Sequence, residues 1–181
     1  MLEVSLDILN EGFPAISKNI GRYLAEGGAF CMEANGHKPG VVLKVEGEYK
    51  AFLTVYWSEN IDDQVKRAWN DSKEATEYGA TAIALLLIKT LTPYTVIERS
   101  FQGTGFDYWL GTGVYDENQL PFQQRKARLE ISGIWKAAGS NTVEARLQIK
   151  RNQLQAISDQ GMPAFIIVVE FGTPKSKFVS Q

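Results

Sequence analysis

The chain is poor in the residues that build covalent or soft-metal frameworks. Its 181 residues include one cysteine, Cys31, and one histidine, His37. A lone cysteine forms no intramolecular disulfide, and one Cys with one His is too few for a zinc site. With no histidine partner apparent, Cys31 reads as a small buried hydrophobe rather than a nucleophile. His37, in the turn-rich stretch NGHKPG, reads as a surface residue. Long apolar runs are also missing. The longest, Ala80–Ile88, is interrupted by Thr81 and followed by Lys89, far short of the ~20 residues that cross a bilayer. The N-terminus, MLEVSLDILNEG, lacks a basic n-region and a small-residue cleavage site, so a cytoplasmic protein is expected. An excess of one charge is lacking as well. Nineteen Lys+Arg against 21 Asp+Glu give a net −2, which excludes a globally basic nucleic-acid binder. The halves differ mildly: residues 1–98 carry 9 − 14 = −5, and residues 99–181 carry 10 − 7 = +3.

What is present is one globular domain's worth of chain. A hydrophobic fraction of 44% rules out disorder, and the length predicts a single domain over 1–181. Ile16, Ile20 and Leu24 recur at helical spacing, predicting a helix over Pro14–Glu26 that Gly27-Gly28 stops. Ala29–Ala34, Val41–Val45 and Tyr49–Trp57 read as strands, the last two forming a hairpin around Glu46-Gly47-Glu48. Residues 1–58 thus predict a helix and a small antiparallel sheet. A long helical region follows, capped by Ser58 or Asn60 with Asp62-Asp63 in its first turn. Thr92-Pro93 ends it at about Leu91, and Gly79 is a candidate break. Thr95–Ser100, Phe106–Leu110 and Ala127–Ile134 are strand candidates. A helix of roughly 142–158 comes next, and Ala164–Phe171 is a strand apolar enough to be buried on both faces. The Gly103-Thr-Gly105 and Gly111-Thr-Gly113 turns are not a P-loop, because no GK[ST] follows them.

Two acidic residues stand in apolar strands: Asp107 in FDYWL and Glu130 between Leu129 and Ile131. A desolvated, unpaired carboxylate costs several kcal/mol, and two on neighbouring strands repel unless a cation lies between them. Mg²⁺ takes one or two carboxylates plus water and phosphate oxygens. The alternative is that each faces solvent or pairs with an arginine such as Arg99 or Arg128.

The order helix, three strands, helix, strand, with GTGFDYWLG and ARLEISG on the second and third strands, resembles the PD-(D/E)XK nuclease superfamily. The resemblance covers residues 62–171. It implies an α/β (α+β) restriction endonuclease-like αβββαβ core with a mixed central sheet. It also implies Mg²⁺- or Mn²⁺-dependent hydrolysis of phosphodiester bonds in DNA, with Asp107 and Glu130 as metal ligands, and often a homodimer. Many members add a glutamate from the preceding helix; Glu74 and Glu77 are available, and Glu77 is preferred because it is nearer the buried segment. Short bacterial members often belong to restriction, mobile-element or phage-defence systems.

One position departs from the pattern. The superfamily's lysine belongs two residues after Glu130, where this chain has Ser132. Winding residues 142–158 at about 100° per residue places Lys150 within an apolar patch, between Val143 and Ile157, with Gln153 nearby. Lys150 is therefore the candidate displaced lysine; otherwise it snorkels from the patch edge to water. Arg125, Lys126, Arg128, Arg146 and Arg151 are candidates for contacting a nucleic-acid backbone. The competing function is a relative that has lost catalysis and serves as an interaction or assembly subunit, for which Ser132 and the apolar-rich N-terminal segment are the motives. An unrelated α/β structural domain is the third reading.

Overall fold

A computed structural model describes residues 2–155 and 161–181. The chain is mixed α/β, built on one eight-stranded sheet. Its strands are β1 (Leu2–Ser5), β2 (Val41–Gly47), β3 (Ala51–Tyr56), β4 (Tyr94–Arg99), β5 (Tyr108–Thr112), β6 (Ala127–Ile134), β7 (Ala164–Glu170) and β8 (Lys175–Ser180). The helices are α1 (Lys18–Ala34), α2 (Asp63–Ala68), α3 (Ser72–Leu91) and α4 (Val143–Gln155). Strand order is β1-β3-β2-β8-β7-β6-β5-β4. The pairs β4/β5, β5/β6, β7/β8 and β2/β3 are antiparallel, while β6/β7, β2/β8 and β1/β3 are parallel. No helix among the described residues is long and apolar enough to cross a membrane.

Alternation along each strand sends side chains to two cores. Leu129, Ile131, Phe165, Ile167 and Val169 join the core under α1 and α3. Ile134, Ile166 and Val168 join a smaller core under α4, with Val143, Leu147 and Leu154. β7 is buried along its whole length, as expected of a strand covered on both faces.

The second half follows the predicted element order closely. The first half does not. Helix α1 runs through Gly27-Gly28, and Ala29–Ala34 is its C-terminal part rather than a strand. These glycines serve close packing. A Cβ on Gly27 would lie 2.9 Å from the Trp69 ring, and one on Gly28 would lie 3.2 Å from the Ala82 methyl. Gly79 plays the same part from α3, where a Cβ would stand 2.7 Å from the Cys31 sulfur. It therefore lies inside an unbroken helix. The actual break falls at Trp69–Asp71: Asp62 caps α2 and Asp71 caps α3, each accepting from two backbone N–H groups. Neither Ser58 nor Asn60 caps a helix.

The N-terminal hairpin is real, but it does not form a small sheet of its own. β2 pairs with β8, and so continues the main sheet. The sequence reading omitted β1 and β8. The part of the predicted 142–158 helix beyond Gln155 lies outside the described residues.

Candidate active site

The site begins with a mismatch of strand lengths. β6 has eight residues and β5 has five. They pair only at Tyr108↔Leu129, Trp109↔Arg128 and Leu110↔Ala127. From Glu130 onward β6 keeps β7 on one side and loses β5 on the other. Asp107, just ahead of β5, covers the start of the freed edge. Its N–H donates to the Leu129 carbonyl at 2.8 Å, and its Oδ2 accepts from the Ile131 N–H at 2.7 Å. The carboxylate therefore replaces a missing strand partner.

This register puts Asp107 against Glu130, close enough for the two carboxyls to share a hydrogen bond. Glu130 is only 5% exposed. Lys150 reaches it from α4, with Nζ 2.5 Å from Oε1. Burial, followed by the neighbouring Asp107 charge, pushes the Glu130 carboxyl up to about 7, with Lys150 opposing the shift. Burial raises Asp107 as well, against the lowering effects of the Ile131 N–H and the Lys150 charge. Glu77 adds repulsion to Asp107 from α3. Two carboxyls and one ammonium leave the centre short of positive charge, so it holds a proton more readily than either acid would alone.

α3 can approach because β6 carries Gly133. A Cβ there would lie 2.6 Å from the Thr76 carbonyl oxygen. The crossing sets Thr76 and Glu77 on one wall of an open cleft, with Lys150 and Arg146 of α4 on the other. The cleft has two arms that meet at the acidic pair. One, about 800 Å³, runs past Tyr23, Lys73, Tyr78, Trp135 and Arg146. The other, about 810 Å³, runs under the 100–106 loop and Gln153. Glu77, Arg99, Asp107 and Lys150 line both arms.

All five candidate catalytic residues, Asp107, Glu130, Lys150, Glu77 and Gln153, line the second arm. Ser132, in the expected lysine position, is 8% exposed and lines the first arm. Among the described residues, no three His, Cys, Asp or Glu side chains come together as a ready metal shell.

The five basic candidates do not form one face. Arg128 is 5% exposed and donates to the Met162 carbonyl at 2.9 Å. Its β6 position turns it inward toward Phe106, so it is not a surface phosphate contact. Arg125 is held by Glu98, at 2.5 Å, and lies over the Trp109 ring. Arg146 lines the first arm, with Nη2 donating to Asn141 Oδ1 at 2.8 Å. Lys126 is exposed and Arg151 half-buried, both outside the cleft lining.

Arg99, expected from the sequence only as a pairing partner for a carboxylate, is also part of the site. Its signal was its place at the end of a strand, directly before the glycine-containing loop that leads to Asp107. Comparison with protein-family models, curated proteins and solved structures found no match to this chain.

Proposed function

We propose that this protein is a Mg²⁺- or Mn²⁺-dependent nuclease of the PD-(D/E)XK type, hydrolysing phosphodiester bonds in DNA. The carrying observation is the contact of Lys150 with Glu130, opposite Asp107. It returns from α4 the cation that Ser132 lacks on β6. The restriction endonuclease-like reading is further supported by the sequence of elements α3, β4, β5, β6, α4, β7, with two antiparallel pairings followed by a parallel one.

The donor set suits a small hard cation. Two carboxyls sit in contact at the floor of an open cleft, and both are pushed toward protonation. Asp107 and Glu130 would hold the ion, with water and phosphate oxygens completing its shell. Bound there, it supplies Lewis-acid stabilisation of the phosphate and a more acidic water. Lys150 opposes protonation of Glu130 and sets positive charge where negative charge develops on the phosphate. Glu77 and Gln153, at the mouth, orient the attacking water. Arg99 draws the substrate backbone to the junction of the arms.

The competing reading, a catalytically inactive assembly subunit, draws on the loss of the lysine at 132 and on the apolar-rich N-terminal segment; Lys150 answers the first of these motives. The test is incubation with Mg²⁺ or Mn²⁺ against EDTA, on duplex and single-stranded DNA and on RNA. Metal-dependent scission that disappears in Asp107→Asn is expected. A wild-type protein that cuts none of these substrates would return the reading to the non-catalytic subunit.

A further inference from the structure

The two arms of the cleft form one trough with the acidic pair at its middle, and both arms present aromatic surface. On one lip stands Phe101, 76% exposed. It is not left there by a loose segment. The Ser100 N–H donates to the Asp107 carbonyl at 2.8 Å, and the Thr104 N–H and hydroxyl both donate to the Phe101 carbonyl. The Ser100 and Thr104 hydroxyls are also in contact. Gly103 and Gly105 take the positive φ values of 94° and 77° that close this turn, a conformation glycine adopts without strain. The loop therefore holds a phenyl ring in water, directly beside the catalytic carboxylates. In the opposite arm Tyr23 is 45% exposed. One side of it packs against Trp69, at 4.6 Å between ring centroids. Lys73 and Arg146 stand along that arm, and Arg99 stands at the junction.

Aromatic surface on both sides of a phosphodiester-cleaving centre fits one kind of substrate. In a duplex the base faces are stacked inside, and the outside offers only edges and backbone. An unpaired strand offers the face of every base, and such faces stack on aromatic side chains whatever the sequence. Cations spaced along the same trough track the backbone. Resting on the nuclease reading, we infer that the substrate strand is single-stranded DNA, threaded through the trough with a base on Phe101 at one side of the scissile phosphate and a base against Tyr23 at the other. One strand needs one centre, so a single copy of the chain suffices.

The test measures binding apart from cleavage. Fluorescence anisotropy of the wild-type protein in EDTA is recorded with a labelled 20-nucleotide oligo(dT) strand and with the matching 20-base-pair duplex. The single strand is expected to bind about tenfold tighter. Phe101→Leu, which keeps apolar bulk without the aromatic face, should lose about tenfold on the single strand and nothing on the duplex. Phe101→Trp should restore the affinity. Tyr23→Leu should act like Phe101→Leu. Duplex bound as tightly as single strand, or Phe101→Leu binding as wild type, overturns the inference. The two readings fail separately. Preferential cutting of duplex, with weak single-strand binding, would end the threading inference and leave the nuclease. Phe101-dependent single-strand binding without any scission would end the nuclease and leave a single-strand binding trough.

Discussion

Glu130 and Glu170 sit on neighbouring strands of the same sheet, and water barely reaches either: they are 5% and 1% exposed. Their partners differ. Glu170 Oε1 accepts from the backbone N–H groups of Ala137, at 3.1 Å, and Thr173, at 3.0 Å. Lys175 stands 3.8 Å from its other oxygen. It fastens two chain reversals at the end of the sheet. Glu130 faces another carboxyl and one ammonium at the floor of a cleft. Burial of a carboxylate does not by itself mark chemistry. A buried acid that backbone donors hold is a fastening, while one set against a second acid and open to a cleft is available to a cation or a proton.

Substitutions around the two acids should separate these roles. The largest effect belongs to Asp107→Asn, which should abolish Mn²⁺ binding by calorimetry, together with any scission. The Asn carbonyl can still accept from Ile131, so the fold should persist. Unchanged metal affinity would remove Asp107 from the site. Lys150→Met keeps the apolar stem and removes the charge. Scission should fall by roughly 10²-fold, the scale for losing one preorganised electrostatic donor, while binding of uncut DNA changes little. Cutting at the wild-type rate would end the displaced-lysine idea.

Glu170→Ala strands two N–H groups and should cost about 2–4 kcal/mol in denaturant unfolding. Metal affinity per folded molecule should stay as in wild type; a parallel loss of affinity would erase the contrast between the two glutamates.

A smaller effect is expected from pH. Burial and the Asp107 charge push the folded Glu130 carboxyl up to about 7, above its ordinary value of 4.5. Between these values the folded chain holds a proton that the unfolded chain has released. Its stabilising contribution is complete below ~4.5 and is lost as pH rises through about 7. Glu130→Gln should flatten part of this fall, by roughly 1–2 kcal/mol between pH 4.5 and 8, leaving the slope from Asp107, which has the same sign. An unchanged slope would show that Glu130 ionises normally. The smallest effect is expected for Lys126→Ala, which should weaken DNA binding only a few-fold and lower its salt dependence by about one ion at most.

The legible part of the fold was the part with strong periodicity. β6 and β7 announce themselves as apolar runs, and α4 as a wheel with an apolar side on which Lys150 is out of place. Glycine misled in α1, because in sequence a helix-ending glycine and a helix-crossing glycine look the same. Only the presence of Trp69 and Ala82 against Gly27 and Gly28 separates them. β8 escaped because an inward position holds Ser176, 1% exposed, whose hydroxyl donates to the Val168 carbonyl at 3.0 Å. Hydrogen bonding there replaces the apolar side chain that pattern reading seeks. Asp107 and Glu130 were legible as acids in apolar surroundings. The cleft was not, since it arises from β5 ending short of β6, a register fact set by distant pairing. Arg128 was misplaced for a related reason: β6 alternation turns it toward Phe106 and α4, and charge alone suggested the surface.

The tight crossing of α1 and α3 has a use for the experimenter. Cys31 is wholly excluded from water, its thiol donates to the Ala75 carbonyl at 3.1 Å, and burial pushes its ionisation far above the ordinary thiol range. Disulfide reagents attack thiolates, so the folded chain should be inert to them. With no second thiol in the sequence, every labelling event records one separation of these two helices. The labelling rate under native conditions becomes a clock for opening of the larger core, and because α1 and α3 both line the first arm of the cleft, comparing the rate with and without a bound strand shows whether occupancy holds the two helices together.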